Sequence, residues 1–331
     1  MNSLTNLLIP AVLFFALGFL ARVIRSDLRF PPDLAKILSI YLLVSIGLHG
    51  GFELGKAELG TAAASVAWAL ALGFGLPLIA FALLRLSRGV DRLNASAIAA
   101  HYGSVSAGTF LTAVAFLENQ GIEYERYPLI MLAVMESPAI VVGLLLATWS
   151  RGREAGAASG ARAEGGHLGA MIREAFTNGS VVLLLGSMLI GALASPKSIE
   201  SLHPFTTEIF MGMLCLFLLE MGMEAGHRFS DFRRVGWLLG VFGVLMPLIG
   251  GAIGVVIGHY GLGFDAGGTT LVAVLGASAS YIAVPPAMRL AIPEANPSFY
   301  LTLALGVTFP FNVVFGIPIY HALSQWAIRV G

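Results

Sequence analysis

The sequence predicts an all-α polytopic membrane protein with ten transmembrane helices, two inverted five-helix repeats in which spans four and nine are broken. Three observations predict it. Of the 331 residues 57% are apolar and 11% charged, with a mean hydropathy of +0.84, whereas a soluble domain has about 25% charged residues. Ten apolar runs approach the roughly 20 residues that a bilayer crossing needs, five on each side of one polar segment. Short motifs of the first five runs return in the second five at a nearly constant offset.

In chain order the runs are 6–24, 36–52, 62–84, 95–117, 127–149, 179–195, 207–223, 235–258, 268–291 and 299–326. Met1 to Asn6 carries no basic residue, which argues for a first transmembrane helix and against a cleaved signal peptide. Arg151 to Gly169 is rich in Gly and Ala, with scattered charge and no periodicity, the composition of a flexible linker. The expected division is a first repeat over 1–150, a linker over 151–172 and a second repeat over 173–331. In the eighth run Gly236 and Gly240, then Gly250, Gly254 and Gly258, stand four residues apart, which lets helices approach closely.

Ile46-Gly47-Leu48 in span two resembles Met221-Gly222-Met223 in span seven, 175 residues on, and Ser104 and Ser106 return 174 residues later as Ser278 and Ser280. An odd number of spans per repeat makes the second copy enter the membrane from the other side, so the repeats are inverted. The loops after odd-numbered spans hold fifteen of the 19 Lys and Arg residues, against four (Lys56, Arg126, Lys197 and Arg329) on the other side. The positive-inside rule then puts the linker in the cytoplasm and both termini outside.

Two stretches break the apolar pattern at corresponding places. Gly276 to Arg289 lies in span nine, and its Pro285-Pro286 must interrupt the helix, because proline has no N–H and clashes with the preceding turn. His101 to Phe110 is Gly- and Ser-rich inside span four. Backbone freed at membrane depth is tolerated only inside protein or beside a wet cavity, and a matched pair of such breaks points to a transporter's binding site. Gly103, Ala107, Gly108, Gly276, Ala277 and Ala279 leave backbone exposed, while Ser104, Ser106, Thr109, Ser278 and Ser280 add hydroxyls. Helix N-termini suit an anion, and carbonyl ends suit a small cation. The blander alternative is that these hydroxyls cap their own broken helices.

Glu136 lies within span five before Pro138, and an intramembrane carboxylate is by default a functional hypothesis, against a structural role bonding backbone freed by Pro138. Glu220, Glu224 and His227 share one helical face, with Glu224 placed to pair with Arg228. His49 and His101 read as structural histidines. No spacing matches a transition-metal site, a P-loop or a Ser/His/Asp hydrolase, so neither a metal cofactor nor an enzyme is expected. A net charge of zero gives no reason to expect nucleic acid. Cys215, the single cysteine, excludes an internal disulfide and reads as a small buried residue.

Gly103-Ser-Val-Ser106 with Thr109, Met221-Gly-Met-Glu-Ala225, Ala277-Ser278 with Ser280, Pro285-Pro286 with Arg289, and Ile292-Pro-Glu-Ala-Asn-Pro-Ser298 together resemble the sodium-dependent bicarbonate transporter family first known from cyanobacteria. The resemblance covers nearly all ten spans and is weakest in the linker. It implies a gate domain from spans 1, 2, 6 and 7, a core domain from spans 3–5 and 8–10, and crossed broken helices holding bicarbonate with sodium beside it. It also implies a homotrimer in the plasma (bacterial inner) membrane and a PII-like cytoplasmic regulator. Carried onto this chain, the substrate region is Gly103, Ser104, Val105, Ser106, Ala107, Gly108 and Thr109 facing Ser278, Ala279, Ser280, Tyr281 and Ile282. Cation binding then falls to Glu136 with the hydroxyls of Ser106, Thr109, Ser278 and Ser280. The chain departs from the family at Tyr281, where the pattern has an Asp expected to help hold sodium.

The expected function is import of a small anion, bicarbonate first, by sodium symport with alternating access. The alternatives are a cation- or proton-coupled carrier of another small carboxylate and, from another class, an anion-binding membrane receptor or scaffold.

Overall fold

A computed structural model describes residues 10–31, 33–55, 58–86, 89–155, 179–229, 236–282 and 284–330. Among these residues the chain is helical and contains no strand. Six helices are long and apolar enough to cross a membrane, Leu34–Phe52, Leu59–Leu86, Pro128–Arg151, Pro204–Arg228, Trp237–Gly261 and Pro297–Val330. Three shorter apolar helices, Pro10–Val23, Val182–Leu193 and Ala266–Gly276, fall in runs one, six and nine. The fourth run is divided between Arg92–Gly103 and Ala107–Asn119.

The helices are numbered α1 (Pro10–Val23), α2 (Leu34–Leu54), α3 (Leu59–Leu86), α4 (Arg92–Gly103), α5 (Ala107–Asn119), α6 (Pro128–Ala155), α7 (Gly179–Leu193), α8 (Pro196–Ser201), α9 (Phe210–Phe229), α10 (Trp237–Val256), α11 (Ala266–Gly276), α12 (Val284–Ala291) and α13 (Pro297–Val330). Helix α6 runs through Arg151 to Ala155, beyond the end expected for the fifth run, and Arg151 donates to both carboxylate oxygens of Glu294 at 2.7 and 3.1 Å. That hydrogen bond holds the Glu294 carboxyl below its ordinary range. The rest of the expected linker lies outside the described residues.

The helices pack most closely in three groups. In the first, α1 lies along α9, α2 lies along α7, and α9 also touches α2 and α13. In the others, α3, α4 and α6 pack mutually, as do α10, α11 and α13. The first group is held by backbone-to-backbone approach at glycines. A Cβ at Gly18 would run into the Leu219 carbonyl of α9, and one at Gly222 into the Phe15 carbonyl of α1. Likewise a Cβ at Gly51 would meet the Met188 carbonyl of α7, and one at Gly191 the Leu48 carbonyl of α2. In lipid there is no hydrophobic drive between helices, so such close dispersion contact carries the association. The glycines of α10 and of the π-turn that continues it do the same against α11: Gly250 faces Gly276, Gly254 faces Ala273 and Gly258 faces Thr269. This is the packing role expected of those three glycines.

Gly222→Val should therefore separate α1 from α9. The expected result is a loss of about 1–3 kcal/mol or more, the usual cost of overpacking, read as a lower melting temperature in detergent; an unchanged melting temperature would contradict the packing described.

At two of the interior prolines a glycine of a neighbouring helix leaves room for the ring. Pro138 of α6 packs against Gly73 of α3, and Pro77 of α3 against Gly103 at the end of α4. Helix α13 widens into π-turns at Thr302–Thr308 and Asn312–Gly316, a local distortion found frequently at functional sites.

Candidate functional site

At the first break α4 ends at Gly103, and the chain runs extended through Ser104 to Ser106 before α5 begins. Ser106 is the N-cap of α5: its Oγ accepts the Thr109 N–H at 3.1 Å and the Thr109 hydroxyl at 2.9 Å. Capping satisfies one of the four orphan N–H groups of the first turn. The N–H groups of Ala107 and Gly108 start the same turn and have no carbonyl a turn earlier to bond.

At the second break α11 ends at Gly276, residues 277–282 are not helical, and α12 starts at Val284. The sequence reading put the interruption at Pro285-Pro286. The structure puts the opening before them and the prolines in the first turn of α12, where a missing N–H costs no helical hydrogen bond. The Ser280 N–H donates to the His101 carbonyl at 2.8 Å, tying the second break to the end of α4. A further brace comes from α13. Asn312, fully buried, donates its amide to the Ala277 carbonyl at 2.8 Å and accepts from the Tyr320 hydroxyl at 2.9 Å.

Val105, Ser106 and Ala107 from the first break meet Ser280, Tyr281 and Ile282 from the second around one small cavity, with Glu136 of α6 and with Ser39 and Leu43 of α2 completing its wall. Its volume is about 20 Å³, room for roughly one water molecule. Glu136 Oε2 is buried with no hydrogen-bond partner among the described residues. The Tyr281 ring packs edge-on against Phe309 at 5.4 Å. Its hydroxyl stands over Gly108, whose missing side chain makes the space, and beside Ser106.

The other expected site residues are not on the cavity wall. Gly103 faces Pro77 and Ala139. The Thr109 hydroxyl is spent on Ser106, and Ser278 donates to the Val274 carbonyl at 2.6 Å, so at these two residues the hydroxyls do serve their own helices. Ala279 is buried, and Gly108 lies under Tyr281. Ser104 is buried, and among the described residues its Oγ has no hydrogen-bond partner.

Glu220 Oε2 is also buried with no hydrogen-bond partner among the described residues, within electrostatic reach of Tyr281. Glu224 pairs with Arg228 at 2.8 Å, as its spacing predicts, and Arg22 donates to His227 Nδ1 at 2.8 Å. His101 plays a packing part: its Nδ1 donates to the Ala97 carbonyl at 2.7 Å and its ring stacks on Tyr300 at 4.3 Å. Among the described residues no three His, Cys, Asp or Glu side chains gather as a metal site. A hard monovalent cation needs no such cluster and suits the carboxylate, hydroxyl and carbonyl oxygens found here.

Sequence reasoning missed Asn312 and the α2 wall. Asn312 was visible as an amide inside an apolar run, a costly placement that marks a role. Ser39 and Leu43 gave no signal, because only the packing brings α2 to the breaks.

A family model described as the Na+-dependent bicarbonate transporter superfamily matches residues 10–325. No curated protein matches the chain.

Proposed function

The chain belongs to the Na+-dependent bicarbonate transporter superfamily, and from that premise we propose that it imports bicarbonate with sodium by alternating access. The observation that carries this reading is the cavity at which Ser106, Ser280, Tyr281 and Glu136 meet. The start of α5 turns Ala107, with its orphan N–H and about half a positive charge, toward the cavity to receive the anion's oxygens. Glu136, whose Oε2 has no hydrogen-bond partner among the described residues, receives the cation with help from Ser106 and Ser280. A cation so placed offsets the anion where no Lys or Arg lines the wall.

A cavity of about 20 Å³ is too small for bicarbonate, which has four heavy atoms, so transport requires the wall to part. Ser39 and Leu43 stand on α2, and the rest of the wall comes from the two breaks and α6. Movement of α2 away from the breaks would open the cavity, which is the motion expected between the gate and core domains that the resemblance implies. The packing also supports ten spans in two inverted repeats. The contact of Gly18 in α1 with α9 has its counterpart in that of Gly191 in α7 with α2, and that of Gly222 in α9 with α1 in that of Gly51 in α2 with α7. Orientation with the linker inside, a homotrimer and a PII-like regulator complete the reading; charge distribution supports the first and the family resemblance the other two.

The test is uptake of labelled bicarbonate into proteoliposomes under an inward sodium gradient, with a panel of small anions as competitors. Uptake competed by another carboxylate and indifferent to bicarbonate would overturn the substrate. Binding without flux would favour a receptor.

A further inference from the structure

A second cavity, of about 60 Å³, lies between α2 and the far end of α5. Ser45 and His49 of α2 and Thr206 ahead of α9 form one wall; Glu118 of α5 with Tyr124 and Arg126 forms the other. The charge distribution puts this face outside.

Arg126 is the centre of the site. Its Nη1 donates to the Tyr124 hydroxyl, and its guanidinium lies over that ring at 4.3 Å. Tyr124 in turn donates to Glu118 Oε1 at 2.8 Å, so the acid on the wall meets Arg126 through a phenol and not directly. The Arg126 Nη2 donates to His49 Nε2 at 3.3 Å, a long bond that joins the α5–α6 connection to α2. Among the described residues Arg126 makes no salt bridge.

We propose that Arg126 is an outer station for a small planar oxyanion, bicarbonate under the reading above, and that the anion releases the Arg126–His49 latch. The oxyanion accepts from Nη2 in place of the imidazole. An oxyanion adds to the guanidinium's hydrogen bond the attraction of opposite charges, which an imidazole acceptor lacks, and the guanidinium fork matches a planar oxyanion in two-bond geometry. The anion therefore binds better to the unlatched state and shifts the equilibrium toward an open outer face. Substrate arrival and outer opening become one event.

The experiment rests on the transport reading but separates from it. Arg126→Gln should raise the KM for external bicarbonate about tenfold with Vmax nearly kept, the scale of one charged hydrogen bond. Ser45, fully buried on this wall, reports opening. In a Cys215→Ser background, bicarbonate should speed labelling of Ser45→Cys by an external impermeant maleimide, and Arg126→Gln should remove that acceleration. His49→Ala should label fast without any anion. An unchanged KM in Arg126→Gln, or labelling indifferent to bicarbonate in the Arg126 protein, overturns the latch while leaving transport intact. A protein with no bicarbonate uptake strikes the transport reading instead, and the labelling still decides the latch.

Discussion

Ser280→Leu is expected to reduce bicarbonate uptake at least about 100-fold, the scale on which small displacements at a positioned site act, while the protein remains folded. Ser280 is buried on the wall of the central cavity, and its backbone N–H bonds the His101 carbonyl. A leucine keeps that backbone bond and fills a space of about 20 Å³ with four carbons. Ser106→Leu should fail in uptake as well, but it also removes the cap of α5, which costs about 0.5–2 kcal/mol. The two variants thus separate blockage from instability. Uptake and melting temperature measured on one preparation decide the matter, and normal uptake by both variants would remove the assignment of the cavity as the substrate site.

Much of the site was legible because breaking a helix in a membrane demands special residues. Two Gly- and Ser-rich stretches at a constant offset located both breaks, and Ser106, Ser280, Tyr281 and Glu136 do meet. Which hydroxyls remain for a ligand was not legible. Ser278 and Thr109 look like Ser280 and Ser106 in sequence, yet their hydroxyls bond Val274 and Ser106. Helical phase and side-chain rotamer decide that, and neither follows from spacing across a break. The prolines misled in position for a related reason: Pro disfavours a helical residue before it and fits a first turn, so Pro285-Pro286 marks where a helix resumes as readily as where one stops. The α2 wall and the Arg126–His49 contact are long-range, and with no charge pattern to announce them only the packed chain shows them.

In the proposed mechanism, coupling turns on Glu136 and Tyr281. An unpartnered carboxylate oxygen at membrane depth needs a cation or a proton, and the cavity offers Glu136 the hydroxyl oxygens of Ser106 and Ser280 as fellow ligands. Tyr281 stands where the resembling family has an acid, and a neutral phenol is a weaker sodium ligand than a carboxylate. Sodium is therefore expected to drive uptake but to saturate at a high concentration. Glu136→Gln should abolish acceleration by a sodium gradient, since the amide keeps the shape of the side chain and loses its charge. Tyr281→Asp should lower the sodium concentration for half-maximal rate by about tenfold, the scale of one charge-assisted contact. It also leaves a gap against Phe309 and over Gly108, so its maximal rate should fall even as sodium affinity rises. Rates measured with a sodium gradient alone and a proton gradient alone separate the two ions. Uptake that only the proton gradient drives, and that Glu136→Gln abolishes, would make Glu136 a proton carrier and overturn sodium coupling. A sodium optimum that Tyr281→Asp leaves unmoved would place the cation away from Tyr281, on the α6 side of the cavity.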